Sequence, residues 1–164
     1  MDPELLEALR RNSGLRLDSE GRFFFHDRPV ENQRVQALFH RHLEVRDDGD
    51  VTLTVGTQWA YVDCETVAYF VDAMKWNEAG LEVRFRHQER AVVVEPWLGF
   101  DPAGRCYLWA TPNARPAILV RSAHQMLASL LEERDGTMVL PLSGAPRAVA
   151  TLMKSPHPAA PWTG

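Results

Sequence analysis

Residues 18–25 read DSEGRFFF, and residues 101–108 read DPAGRCYL. Both open on Asp-x-x-Gly-Arg and run straight into an apolar stretch. Each is followed by a helix-like pattern, an acidic Gly turn and a short alternating strand. The acidic turns are Asp47-Asp48-Gly49-Asp50 and Arg134-Asp135-Gly136. The chain therefore reads as one unit written twice, Asp18–Val62 and Asp101–Val149. The second copy carries extra residues in its Pro-rich segment, Thr111–Pro116. The apolar register survives between copies: Phe39 matches Met126, Leu43 matches Leu130, and Val51, Leu53 and Val55 match Met138, Leu140 and Leu142. Residue identity mostly does not survive, as expected when packing alone is kept. This predicts an α+β fold of two repeated strand–helix–antiparallel-sheet units, each a small curved sheet packed on one helix. The expected division is an N-terminal helix plus first unit over 1–75, a hairpin plus second unit over 76–154, and a Pro-rich tail over 155–164.

Working outward, Asp2 and Pro3 predict a short helix over Pro3–Arg11, with Leu5, Leu6 and Leu9 as its apolar stripe. Leu15–Leu17 and Arg22–His26 read as strands. Val35, Leu38, Phe39 and His42 fall at helical spacing within Asn32–Leu43, which leaves Arg34, Gln36, His40 and Arg41 on the wet side. Val67–Met74 reads as a strand, with a helix as the open alternative. Leu81, Val83 and Phe85 alternate and pair with Ala91–Val94 as a hairpin. Glu95–Gly99 reads as a loop carrying Trp97. A second helix is expected from Pro116 to Glu132, and the tail from Ser155 is expected to be flexible unless docked.

Composition narrows the function classes. The chain has 164 residues, 45% hydrophobic and 24% charged, enough to bury a core. Its formal charge of -4 gives no basic footprint, so no nucleic-acid partner is expected. Apolar runs are too short to span a membrane, and the start DPELLEALRR lacks a secretory pattern. Cys64 and Cys106 stand alone, as reduced thiols would in a cytoplasmic protein. The six histidines show no metal-ligand spacing, and there is no HExxH, G-x-S-x-G, Walker A or Rossmann glycine pattern. No catalytic constellation, metal or cofactor is expected.

The remaining chemistry lies in arginines. Arg84, Arg86 and Arg90 cluster in the hairpin, and Arg121 lies on the second helix. Guanidinium groups hold carboxylates and phosphates bidentately, so such a cluster is a candidate anion site. The competing reading is a solvated strand face paired with Glu82 and Glu89.

The stretch GRFFFHDRPVENQRVQALFHRHLEVRDDGDVTLTV, then LEVRFRHQERAVVV, CYLWA and ERDGTMVLPLSG, resembles the bacterial "domain of unknown function 1285" family from about Gly21 to Gly144. The family's T-P-V-E is Val55-Gly56-Thr57-Gln58 here, its Thr-Asn after Phe-Arg is His87-Gln88, and its W-S-G-G is Leu142-Ser143-Gly144-Ala145. Phe85-Arg86 and Ser143-Gly144 carry over. The resemblance implies an α+β fold of two repeated units and no established activity. A role in signalling or ligand sensing is the conjecture that goes with it.

The expected function is a non-enzymatic binding or adaptor module in bacterial regulation, with a protein partner or homodimer through sheet edges. The alternative is a small-molecule binder holding an anionic ligand between the repeats. Its ligand-binding residues would be Arg86, with Arg84, Gln88 and Arg121.

Overall fold

The computed structural model describes residues 2–164. The chain opens with α1 (Pro3–Arg11), where the Asp2 carboxylate accepts the Glu4 N–H at 3.1 Å and Pro3 occupies the first turn. The first half then runs β1 (Leu15–Leu17), β2 (Phe23–Phe25), β3 (Arg28–Pro29), α2 (Gln33–Arg41), β4 (Leu43–Val45), β5 (Val51–Val55), β6 (Gln58–Tyr61) and β7 (Asp63–Cys64). A hairpin follows, β8 (Tyr69–Asn77) and β9 (Gly80–Phe85), with β10 (Val92–Val94) beyond it. The second half runs β11 (Trp97–Phe100), β12 (Cys106–Trp109), β13 (Ala117–Leu119), α3 (Arg121–Leu130), β14 (Glu132–Arg134), β15 (Thr137–Leu140), β16 (Arg147–Ala148) and β17 (Ala150–Thr151). The fold is α+β.

One sheet dominates, in the order β10-β9-β8-β13-β12-β11-β17. It joins the three strands β8–β10 to four strands of the second half, and the division expected after residue 75 falls inside β8. Its central strands β12 and β13 are buried on both faces, as their unbroken apolar runs require. Phe70, Ile118, Tyr107 and Trp109 point to the core shared with Leu17, Phe23 and Leu53. Their strand neighbours Val71, Leu119, Cys106 and Leu108 point to the other core, with Ala123 and Leu127 of α3. This alternation is the two-residue period of a strand.

The two Asp-x-x-Gly-Arg segments form the same closed turn. Asp18 Oδ1 accepts the N–H groups of Glu20 and Arg22 at 3.0 and 2.8 Å, and Oδ2 accepts Arg22 Nε at 2.8 Å. Asp101 Oδ1 accepts the N–H groups of Ala103 and Arg105 at 2.9 Å each, and Oδ2 accepts Arg105 Nε at 2.9 Å. Gly21 and Gly104 turn the chain at φ 83 and 81. Burial raises both carboxyl pKa values, but the hydrogen bonds, from Arg22 at Asp18 and from Ser155, Arg105 and Tyr107 at Asp101, outweigh it and hold both below the ordinary range.

The structure corrects three sequence expectations, and the conditional one on the tail resolves to docking. Ala117–Leu119 is a strand, because Ile118 and its neighbours form a run buried on both faces between β8 and β12. Trp97 lies in β11, paired with Trp109. The tail is docked: Trp162 packs on Trp97 with centroids 4.6 Å apart, Trp162 Nε1 donates to Leu98 O at 3.1 Å, and Trp109 Nε1 donates to Ala160 O at 2.8 Å. In α2 the core histidine is His40, 3% exposed, whereas His42 is exposed. The Asp18 turn covers the side of α2 that bears His40 and Gln36. Gln36 bridges Val30 O and the Phe23 N–H at 2.6 and 3.2 Å.

Candidate functional site

Arg86 leaves β9 and crosses to the first Asp turn. Its Nε and Nη2 donate to Asp72 Oδ1 at 3.0 and 2.7 Å. Its Nη1 reaches Glu20 O and Gly21 O at 3.5 and 3.4 Å, and the guanidinium carbon lies 5.2 Å from the Phe70 ring centroid. A bulge in β8 makes this possible: Val71 faces Phe85 and Ala73 faces Arg84, so Asp72 is the extra residue, re-aimed at Arg86. These groups line a cleft of about 580 Å³ with His40, Gln36 and Arg22. His40 Nε2 donates to Gly21 O at 2.8 Å, and its ring meets Phe23 and Phe70 edge-on at 4.8 and 5.7 Å. Burial holds His40 down at about 4, so it is neutral. Most Arg86 donors are thus committed within the chain, and an anion entering here has to displace Asp72.

The other candidates do not gather around Arg86. Arg84 is exposed and lines a separate groove with Glu82, Lys75 and Met126. Arg121 is exposed at the start of α3, whose Ser122 Oγ donates to Asp72 O at 3.4 Å. Gln88, also exposed, lines a third cavity of about 260 Å³ with Tyr69, Phe85, His87, Ala114 and Arg115.

Sequence reasoning missed His87. Its ring stacks on Tyr69 at 3.9 Å and 24°. Its Nδ1 is buried with no hydrogen-bond partner. Such an orphan costs about 1–3 kcal/mol and is uncommon in folded proteins. Burial holds His87 down at about 4. Arg115, which also lines this cavity, donates through Nη2 to Asp47 Oδ1 at 2.7 Å and Val45 O at 3.4 Å. The available signal was the replacement of the family's Thr-Asn by His87-Gln88.

The first helix is docked the unexpected way round. Its charged residues make the contacts to β6. Arg10 lies 4.0 Å over the Trp59 ring, Arg11 lies 4.0 Å over the Tyr61 ring, and Tyr61 Oη donates to Glu7 at 2.8 Å. Arg11 also reaches Asp50 at 3.1 Å. No residue of α1 is buried, and Leu5 and Leu9 are 52% and 54% exposed. Of the apolar stripe, Leu6 is half-buried while Leu5 and Leu9 are left exposed.

Neither thiol is prepared for nucleophilic chemistry. Burial, and at Cys64 also the Asp63 carboxylate, pushes Cys64 and Cys106 up to about 12. Among the described residues no His, Cys, Asp and Glu cluster has metal-binding geometry, and no helix is long and apolar enough to cross a membrane.

No family model and no curated protein matches the sequence. Two solved structures share the fold. A DUF1285 family protein from Silicibacter pomeroyi DSS-3 superposes with TM-score 0.63 at 20% identity, covering 86% of this chain and 80% of that one. A DUF1285 family protein from Shewanella baltica OS155 superposes with TM-score 0.51 at 13% identity, covering 71% of this chain and 91% of that one. Both likenesses support the family resemblance carried by the Gly21–Gly144 motifs.

Proposed function

We propose that this chain is a non-enzymatic binding module of the adaptor type, built from two related α+β units, which docks a protein partner through the outward face of α1. The single observation that carries this is the inverted helix. A helix held by cation–π and hydrogen-bond contacts on its charged side, with Leu5 and Leu9 half exposed, forgoes roughly 1 kcal/mol per leucine that full burial would supply. Covering that face recovers it. The N-terminal end of the helix carries exposed Asp2 and Glu4, so the fitting partner is an apolar groove with cationic side chains at the end that meets this terminus, the helix-in-groove mode.

Two related units are supported by the shared element order, the matched Asp18 and Asp101 turns and the closing pairs. Strand β7 pairs parallel with β1, and β17 pairs parallel with β11. The non-enzymatic reading is supported by thiols pushed up to about 12 and by the internal pairing of Arg86, Asp18 and Asp101. Both cysteines are free, which suits a reducing compartment such as the cytoplasm.

The test is co-purification from the source cell with three versions of the chain: wild type, Leu5→Gln/Leu9→Gln and Arg84→Ala. A partner kept by wild type and Arg84→Ala but lost with the double variant, at unchanged melting temperature, is expected. Capture indifferent to both leucines overturns the proposal. A dimer by light scattering that the double variant abolishes replaces the foreign partner with a second copy.

A further inference from the structure

We propose that the cavity between the β9–β10 turn and the segment joining β12 to β13 binds a small single-ring carboxylate, with Arg115 holding the carboxylate and the stacked His87–Tyr69 pair seating the ring. This site is independent of the α1 docking face. It lies where the two halves differ: His26 and Asp27 join β2 to β3, whereas Ala110–Pro116 joins β12 to β13.

The lining fixes the chemistry. Phe85, Val92, Ala114 and Ala117 make the walls apolar, and Arg115 is the one charged residue among those that line it. Its partner Asp47 is fully exposed, so that ion pair is weak and exchangeable. Only Nη2 of Arg115 is engaged in the described hydrogen bonds, which leaves donors at Nε and Nη1 for a second oxyanion. A guanidinium fork matches a planar carboxylate. The His87–Tyr69 stack supplies a flat, rigid surface. The imidazole is held by packing, and its orphaned Nδ1 shows that the fold itself gives this ring no hydrogen-bond role there. Gln88 at the rim adds an amide donor and acceptor. At about 260 Å³ the cavity lies near the small end of ligand pockets, which start at about 300 Å³, and one ring with a carboxylate is the size it suits.

The experiment is calorimetric titration of the full chain with benzoate and 4-hydroxybenzoate, with benzamide as the neutral isostere. Benzoate or its hydroxy analogue is expected to bind with Kd of about 1 mM or tighter, and benzamide at least tenfold weaker. Arg115→Gln is expected to weaken the carboxylate tenfold or more. Should that variant fail to fold, Asp47→Ala serves instead: it removes the exposed competitor and is expected to tighten benzoate severalfold. No heat from either acid at 10 mM overturns the proposal. So does benzamide binding as well as benzoate, or an affinity indifferent to Asp47→Ala. Leu5→Gln/Leu9→Gln leaves the titration unchanged, so failure here does not touch the docking face.

Discussion

Acidification from pH 7 to pH 5 is expected to destabilise the fold through His40, before the buried carboxylates of Asp18 and Asp101 protonate. His40 has an ordinary pKa of 6.5 and is held at about 4 in the fold, because burial disfavours the imidazolium, with a lesser contribution from Arg86. Between those values the unfolded chain binds a proton that the folded chain refuses. The stability His40 contributes is therefore complete above about pH 6.5 and is lost as pH falls towards about 4. The full difference is worth roughly 3 kcal/mol, of which roughly 2 kcal/mol is lost by pH 5. His87 acts in the same direction, and more weakly because it is only half-buried. Asp18 and Asp101 are held below 3.8, so their contributions persist until lower pH. Urea unfolding followed by tryptophan fluorescence reads the effect as a midpoint drop on the order of 1 M between the two pH values. His40→Gln keeps an amide donor for Gly21 O but cannot titrate. It is expected to cost stability at pH 7 and to flatten the pH dependence by roughly 2 kcal/mol. A variant that loses as much stability as wild type between pH 7 and pH 5 refutes the reasoning.

Two further substitutions test the turns and the tail. Gly21 and Gly104 share a φ near +80 (83 and 81), yet a Cβ at Gly21 strikes Arg86 Nη1 while a Cβ at Gly104 meets nothing within 4 Å. Gly104→Ala is expected to cost about 1–2 kcal/mol, the left-handed penalty alone. Gly21→Ala should cost at least about 1 kcal/mol more, by expelling Arg86 from Asp72. Equal midpoints in urea would remove Arg86 as a clamp. Trp162→Ala, which loses the Trp97 contact and the bond to Leu98 O, is expected to cost about 2–3 kcal/mol in the same assay. A loss below about 0.5 kcal/mol would mean that the tail contributes nothing to the fold.

What was legible in the sequence was what closes locally. The Asp-x-x-Gly-Arg turns satisfy their own carboxylates within four residues, and Asp2 caps α1 from next door. The β9–β10 pairing follows from alternation alone, Val92 against Val83 and Val94 against Leu81. What escaped depends on distant chain. Nothing near His40 announces that Gly21 O, 19 residues away, will cover it. The run Pro116–Val120 suits a buried helix or a central strand equally, and its parallel pairing with β8 decides the matter. Charge spacing singled out Arg86, but the bulge at Asp72 determines which guanidinium is neutralised. The arginine that keeps open donors beside a cavity, Arg115, sits in the Pro-rich segment already marked as the second copy's departure from the first. In α1 the apolar stripe was visible, and only the placement of Trp59 and Tyr61 revealed that its Leu5 and Leu9 stay exposed.

The docking face is tested most directly by a photoreactive benzophenone side chain placed at position 9 and, separately, at position 11, irradiated in the source cell. Position 9 points away from β6, and position 11 lies over Tyr61. The expected result is a covalent adduct to a second polypeptide from position 9 and only intrachain products from position 11. An uncrosslinked chain from position 9, or the same adduct from both positions, would contradict the assignment of α1 as the partner-binding face.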